Sequence, residues 1–396
     1  MNKKRRLHLV VVLVCTLIVS SLLITACTPE TPAPAPTPPP APTPSPEPEE
    51  KWVPPIPGMK QGEEDLYFNW QFNSPFPEHA IPEFFSSHEW YPQQMYERTG
   101  GRMNMEVVYG GSLGPAGESM ELMGANMFQM GMESASFYPN LVYSAFGTTP
   151  GLCKDNTDVV TFSKIKNFIW MHPLSQKETE GLYNCTPVLG NCAAPFILLS
   201  NKKIEKPEDM EGLQVRGSGV YSLFFEQFGA VPIAFPTPET YEWFQRGMVD
   251  MVTFSISEIP ARKMWEVVDY AVDIGWIAGG GGVYANKDEW AALPQYIRDI
   301  SDQLVAEYPD QFVKDFGPGF EDAKRIVFEE SGIEIIEPSP EVLAAWRDAE
   351  SKIVDLWVAA AEEQGLKDAR SFADDVLAFV AALDKDPTLQ WSRDAY

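Results

Sequence analysis

Basic residues are scarce in this chain. Thirty lysines and arginines face 56 aspartates and glutamates, a net charge of −26. A surface that acidic repels phosphate backbones, which excludes nucleic acid as a partner. It does not exclude a small anion held by one buried arginine, because net charge acts at long range and a buried group acts locally. Histidine and cysteine are also sparse, at four and five residues of 396. There is no CxxC, no HExxH and no Cys/His cluster at zinc spacing. Neither a metal site nor a cofactor is therefore expected. No serine or cysteine has a recognisable catalytic base by sequence pattern, which argues against an enzyme.

Long apolar runs are missing except at the start. Lys3, Lys4, Arg5 and Arg6 precede an apolar stretch over residues 9–26, which ends in Leu23-Ile24-Thr25-Ala26-Cys27. A small residue before a cysteine at that place is a lipoprotein signal: residues 1–27 act as leader, and Cys27 carries the lipid. The other reading is an uncleaved membrane anchor, for which 18 residues is the short limit. Loss of the four basic leader residues takes the mature chain to −30. Residues 28–58 contain 14 prolines and cannot build a core. They read as a stiff polyproline spacer, with residues 29–48 spanning roughly 60 Å. Of the cysteines left in the body, Cys185 and Cys192 are close enough in sequence to close a short disulfide, though spacing alone does not require one.

The remaining body exceeds one ordinary core and predicts two lobes. Residues 66–72, a helix over 82–99, the alternating strand 103–109, a helix over 118–126 and the apolar strand 127–132 give a β-α-β-α-β order. The same order returns with strands at 196–200, 212–216, 230–234 and 249–254, and helices at 221–228 and 238–246. A helix is expected over 294–308. Another starts at Ser339-Pro340-Glu341, with Val342, Leu343, Trp346, Ile353, Leu356 and Trp357 as its buried stripe. Gly279-Gly280-Gly281-Gly282 lacks the context of a phosphate-binding loop and reads as a crossing or tight turn. Arg216, a permanent cation ending a short strand before Gly217-Ser218-Gly219, suits the capture of a carboxylate.

Several collinear pieces resemble one family. They include Glu97-Arg98-Thr99-Gly100-Gly101-Arg102, Gly110-Gly111-Ser112-Leu113-Gly114 and the run from Lys206-Pro207-Glu208-Asp209 to Val215-Arg216. Gly229-Ala230-Val231-Pro232, the run from Pro238-Glu239-Thr240-Tyr241 to Met248-Val249-Asp250, and Trp290-Ala291-Ala292-Leu293-Pro294 complete the set. Residues 66–365 are thus similar to the DctP-like solute-binding proteins of tripartite ATP-independent periplasmic (TRAP) transporters. The resemblance implies an α/β, bilobal, periplasmic-binding-protein-like fold with a hinge, a ligand cleft and long C-terminal helices. It divides the chain into lobe I (64–193 with about 281–319), lobe II (194–280 with about 320–372) and a C-terminal extension (373–396), after a linker at 28–63. It implies an extracytoplasmic receptor that hands an organic acid to membrane permease subunits, with Arg216 on the ligand carboxylate.

Two departures bear on the ligand. Some members carry a second arginine where this chain has Phe196, and a polar residue where it has Phe254. A second carboxylate would be left without a partner, so a monocarboxylate with an apolar or aromatic body is expected over a four-carbon dicarboxylate. Phe196 and Phe254 are candidates for ligand contact or for core. Glu133 is a candidate acceptor for a ligand hydroxyl or amine, or an ion-pair partner of Arg216. Ser218 and Thr237 are candidate hydroxyl donors. Tyr241 is a candidate contact, although helix packing is the stronger reading for it or for Trp243. A sensory receptor of the same fold and the binding lipoprotein of an ATP-driven importer are the alternative functions.

Overall fold

The computed structural model describes residues 56–78, 81–153, 158–191, 195–217, 219–277, 279 and 281–389. The leader, Cys27 and the expected spacer up to residue 55 lie outside these residues. The described residues form eleven strands: Phe68–Asn73 (β1), Met103–Val108 (β2), Met130–Glu133 (β3), Cys185–Gly190 (β4), Pro195–Ser200 (β5), Gln214–Arg216 (β6), Val231–Ile233 (β7), Met251–Ser255 (β8), Tyr270–Ile277 (β9), Gly282–Asn286 (β10) and Glu334–Ile336 (β11).

They make two sheets, in the orders β2-β1-β3-β10-β4 and β11-β9-β5-β8-β6-β7. In the first, β1 runs parallel to β2 and β3, and β10 is antiparallel to its neighbours. The pattern in β2 shows why it pairs at one face: Met103 and Met105 are buried while Asn104 and Glu106 are exposed. In the second, β6 lies parallel between β7 and β8, and β5 is antiparallel to β8 and β9. The chain passes from the first sheet to the second between β4 and β5, and returns between β9 and β10.

Gly279, Gly281 and Gly282 lie on that return. A side chain at Gly282 would fall on the Trp170 indole, and one at Gly279 (φ +79°) on the Phe196 ring. Gly282→Ala is expected to cost about 1–3 kcal/mol by overpacking. Urea unfolding should show a lower midpoint with the same slope; an unchanged midpoint would mean that Trp170 yields freely.

Aromatic packing ties the second sheet to the helix Pro340–Glu363. Phe224 lies 4.6 Å from Trp276 of β9, and Trp276 lies 5.5 Å from Trp346. Ser339 caps that helix by accepting from the Val342 amide at 3.3 Å. The expected stripe holds for Val342, Trp346, Ile353 and Trp357, but Leu356 is exposed. The helix expected over 294–308 continues to Arg325 through Pro309 and Pro318. Its far half is held by a ladder of Phe312, Phe316 and Phe320, with stacked rings about 5 Å apart. A helix Ala369–Leu383 docks Phe379 on Phe168 at 4.2 Å, so part of the expected C-terminal extension belongs to the core.

Candidate ligand-binding site

Arg216 closes β6, with its backbone paired to Ile233 of β7 and Val252 of β8. Its Nε donates to the Phe235 carbonyl at 3.0 Å, and Nη2 donates to Thr237 Oγ1 at 2.9 Å. These two bonds occupy the side-on edge of the guanidinium. The outer edge, Nη1 and the second hydrogen of Nη2, has no partner among the described residues. No ion pair neutralises the group there. Burial pulls its pKa down to about 10, against the favourable charges of Tyr221 and Glu258. It remains a cation at neutral pH, and a half-buried cation without a counter-ion suits an arriving anion.

Around it lies a cavity of about 50 Å³ between the sheets, room for roughly four waters. Phe137, which follows β3, and Phe235 flank the guanidinium at 6.0 and 5.6 Å. Phe76, Phe84, Phe196 and Phe254 supply further apolar wall. Glu258, also on the cavity wall, is bound by Arg262, with Nε at 3.0 Å and Nη2 at 2.9 Å. Ser255 donates to Glu83, a buried acid contributed by the segment Pro82–Phe84, and shares a second bond with Ser257 at 2.9 Å. Burial, then the Glu258 charge, pushes the Glu83 carboxyl up to about 7. Among the described residues lining the cavity, Arg216 is the one cation.

Of the residues expected from sequence, Arg216, Thr237, Phe196 and Phe254 meet at this cavity. Glu133 does not. Strand alternation puts Met132 and Ser134 on the cavity side and turns the Glu133 side chain to the other face, where the Gly117 amide donates to it at 3.4 Å. Tyr241 also points elsewhere, its hydroxyl donating to Glu266 at 2.8 Å. Ser218 and Cys27 lie outside the described residues. Sequence reading passed over Tyr221, Ser255, Glu258 and Glu83. The first was absorbed into a helix stripe, and the others carry no signal before the tertiary fold joins them.

Cys185, for which spacing left a bridge to Cys192 open, is a free buried thiol. It begins the extended strand β4, and six residues of strand put Asn191 roughly 20 Å away. Cys192 itself lies outside the described residues. Ser112 satisfies a GxSxG pattern in Gly110-Gly111-Ser112-Leu113-Gly114, but it sits in an exposed turn and its hydroxyl donates to the Tyr109 carbonyl at 2.7 Å. Among the described residues no cluster of acids, histidines or cysteines is arranged to hold a metal ion, and no helix is long and apolar enough to cross a membrane.

Comparison with known proteins agrees with this architecture. The C4-dicarboxylate-binding periplasmic protein DctP of Rhodobacter capsulatus is 28% identical over 161 residues, 40% of this chain and 48% of the relative. The protein of the same name from Vibrio cholerae is 28% identical over 152 residues, 38% and 46% of the two chains. The chain thus spans about half the length of these curated relatives. Among solved structures, a TRAP solute binding protein from Rhodoferax ferrireducens, in complex with copurified benzoate, superposes with a TM-score of 0.67. It is 15% identical, over 80% of this chain and 99% of the other. One from Desulfovibrio salexigens with bound orotic acid gives 0.68, at 19% identity over 79% and 99%. At these identities the likeness establishes the bilobal, periplasmic-binding-protein-like fold. The sequence pattern of DctP, the bacterial extracellular solute-binding protein family 7, matches residues 88–360, more than half the chain, and the protein belongs to that family.

Proposed function

We propose that this chain is the extracytoplasmic receptor of a TRAP-type transporter and captures a small monocarboxylate with an apolar or aromatic body. The observation that carries the reading is the Arg216 guanidinium, pinned along one edge by Phe235 and Thr237, open along the other, and enclosed by aromatic rings. An arriving carboxylate forms charge-assisted hydrogen bonds with that open edge. Exclusion of water then strengthens the pair, and the ligand body is buried against Phe137, Phe196 and Phe254. The present cavity is too small for such a body, so binding requires the lobes to part and reclose. In this reading lobe I is 64–193 with 281–319, lobe II is 194–280 with 320–372, and the crossings between β4 and β5 and between β9 and β10 are the hinge. Lipid on Cys27 and the proline-rich spacer would hold the receptor near its permease.

The curated relatives are named for C4-dicarboxylates. Here the cavity wall also carries Glu258, already matched by Arg262, and Ser255, which is bonded to the buried Glu83. A second carboxylate would meet acids and phenyl rings, and its burial without a partner is unfavourable by several kcal/mol. A thermal-shift screen of residues 63–396 should therefore show stabilisation by benzoate, mandelate or other aromatic monocarboxylates. At about 100 times the dissociation constant the gain is roughly 2.7 kcal/mol. Succinate or malate outcompeting every monocarboxylate would overturn the choice of ligand class.

A further inference from the structure

The Tyr221 side chain is 5% exposed, and its hydroxyl is buried without a hydrogen-bond partner among the described residues. A phenylalanine would fill the same space without leaving a polar group unpaired, so nothing in the packing calls for the oxygen. The ring lies 6.3 Å from Trp276 at the edge of the aromatic core, yet the residue also lines the Arg216 cavity. It stands on the first turn of the helix Val220–Glu226, five residues after Arg216. Just before the helix, Gly219 stands at φ +55°, a conformation that favours glycine. Burial raises the Tyr221 pKa, and the Arg216 charge opposes that rise. At neutral pH the hydroxyl is therefore protonated and able to donate.

We propose that Tyr221 is a second anchor for the ligand carboxylate: its hydroxyl donates to one carboxylate oxygen while the open edge of the Arg216 guanidinium takes the other. The inference rests on the carboxylate reading above and deepens it. Two converging donors require an acceptor at both ends. A carboxylate supplies that, whereas a primary amide turns its own N–H donors towards one of them. The site thus selects acids over the matching amides by geometry as well as by charge.

The test uses residues 63–396 of the wild type, Tyr221→Phe, Arg216→Ala and the double variant. Each is titrated by calorimetry with benzoate, mandelate, orotate, pyroglutamate and malate, and its melting temperature is recorded without ligand. Tyr221→Phe is expected to melt no lower than wild type, because it removes an unpaired hydroxyl, and to weaken the tightest acid about tenfold. In the Arg216→Ala background the same change should cost less than it does in wild type, since both groups hold one carboxylate. If Tyr221→Phe stays within twofold of wild type while Arg216→Ala loses binding, the second anchor is wrong and the arginine reading stands. If Arg216→Ala also binds like wild type, or no acid of the panel binds at all, the carboxylate reading fails and the second anchor with it.

Discussion

Arg216→Ala should abolish the thermal shift given by any bound acid and weaken its affinity at least about a hundredfold. The estimate comes from the chemistry of the outer guanidinium edge. Two charge-assisted hydrogen bonds contribute about 1.5–3 kcal/mol each, and the lost partner leaves the ligand carboxylate buried and unpaired. Without ligand the expectation reverses. Arg216 is held with no counter-ion, its charge disfavoured by burial, and its fixed bonds run only to the Phe235 carbonyl and Thr237. The alanine variant should therefore melt at the wild-type temperature or above it. A residue that weakens the empty fold and tightens the filled one is there for the ligand. Equal loss of apo stability and of binding would instead make Arg216 a structural residue.

Much of this site was legible before the fold, and the reasons are local. A strand-ending arginine followed by glycines, and a proline turn bearing Thr237, are short-range patterns, and both are brought together at the cavity. The glycine run at 279–282 could be read as a crossing because nothing around it suited phosphate. Glu133 was less tractable. All four residues of β3 are buried, so no polar alternation announces which side chains face which way. The helix Val159–Met171 escaped for a similar reason: residues 162–171 are buried around its whole circumference, leaving no amphipathic period. Its start was nevertheless written, since Asp158 accepts from the Thr161 amide at 2.9 Å. Tyr221 was visible only as one more aromatic in a helical stripe. Its unpaired hydroxyl is a property of the assembled cavity.

The body should gain stability on acidification from pH 8.5 to 6.5, and Glu133→Gln should remove most of the gain. Glu133 is fully buried, and burial, opposed by the Ser119 hydroxyl and the amides of Gly117 and Ser134, raises its pKa from 4.5 to about 8. One of its oxygens, Oε1, has no hydrogen-bond partner among the described residues, as suits a carboxyl held neutral. Folding therefore takes up a proton. The stability tied to that proton is fully present below pH 4.5 and is lost as pH rises through 8. Between pH 6.5 and 8.5 Glu133 accounts for about 2 kcal/mol, and Glu83, raised to about 7, adds a smaller amount of the same sign. Two histidines work the other way at lower pH. Burial lowers His88 to about 3 and also lowers His172, so their contribution is lost as pH falls through 6.5 and below. They are silent above about pH 7.5, where the acids dominate, and offset them below 6.5, where the profile should flatten. Urea unfolding at half-unit steps of pH reads the slope directly. Glu133→Gln should be the more stable protein at pH 8.5, and its advantage should shrink steadily as pH falls towards 4.5, with Glu83→Gln showing a weaker version of the same convergence. Parallel profiles for wild type and Glu133→Gln would mean that the carboxylate finds solvent or a cation in the folded protein, and that its burial is not the source of the shift.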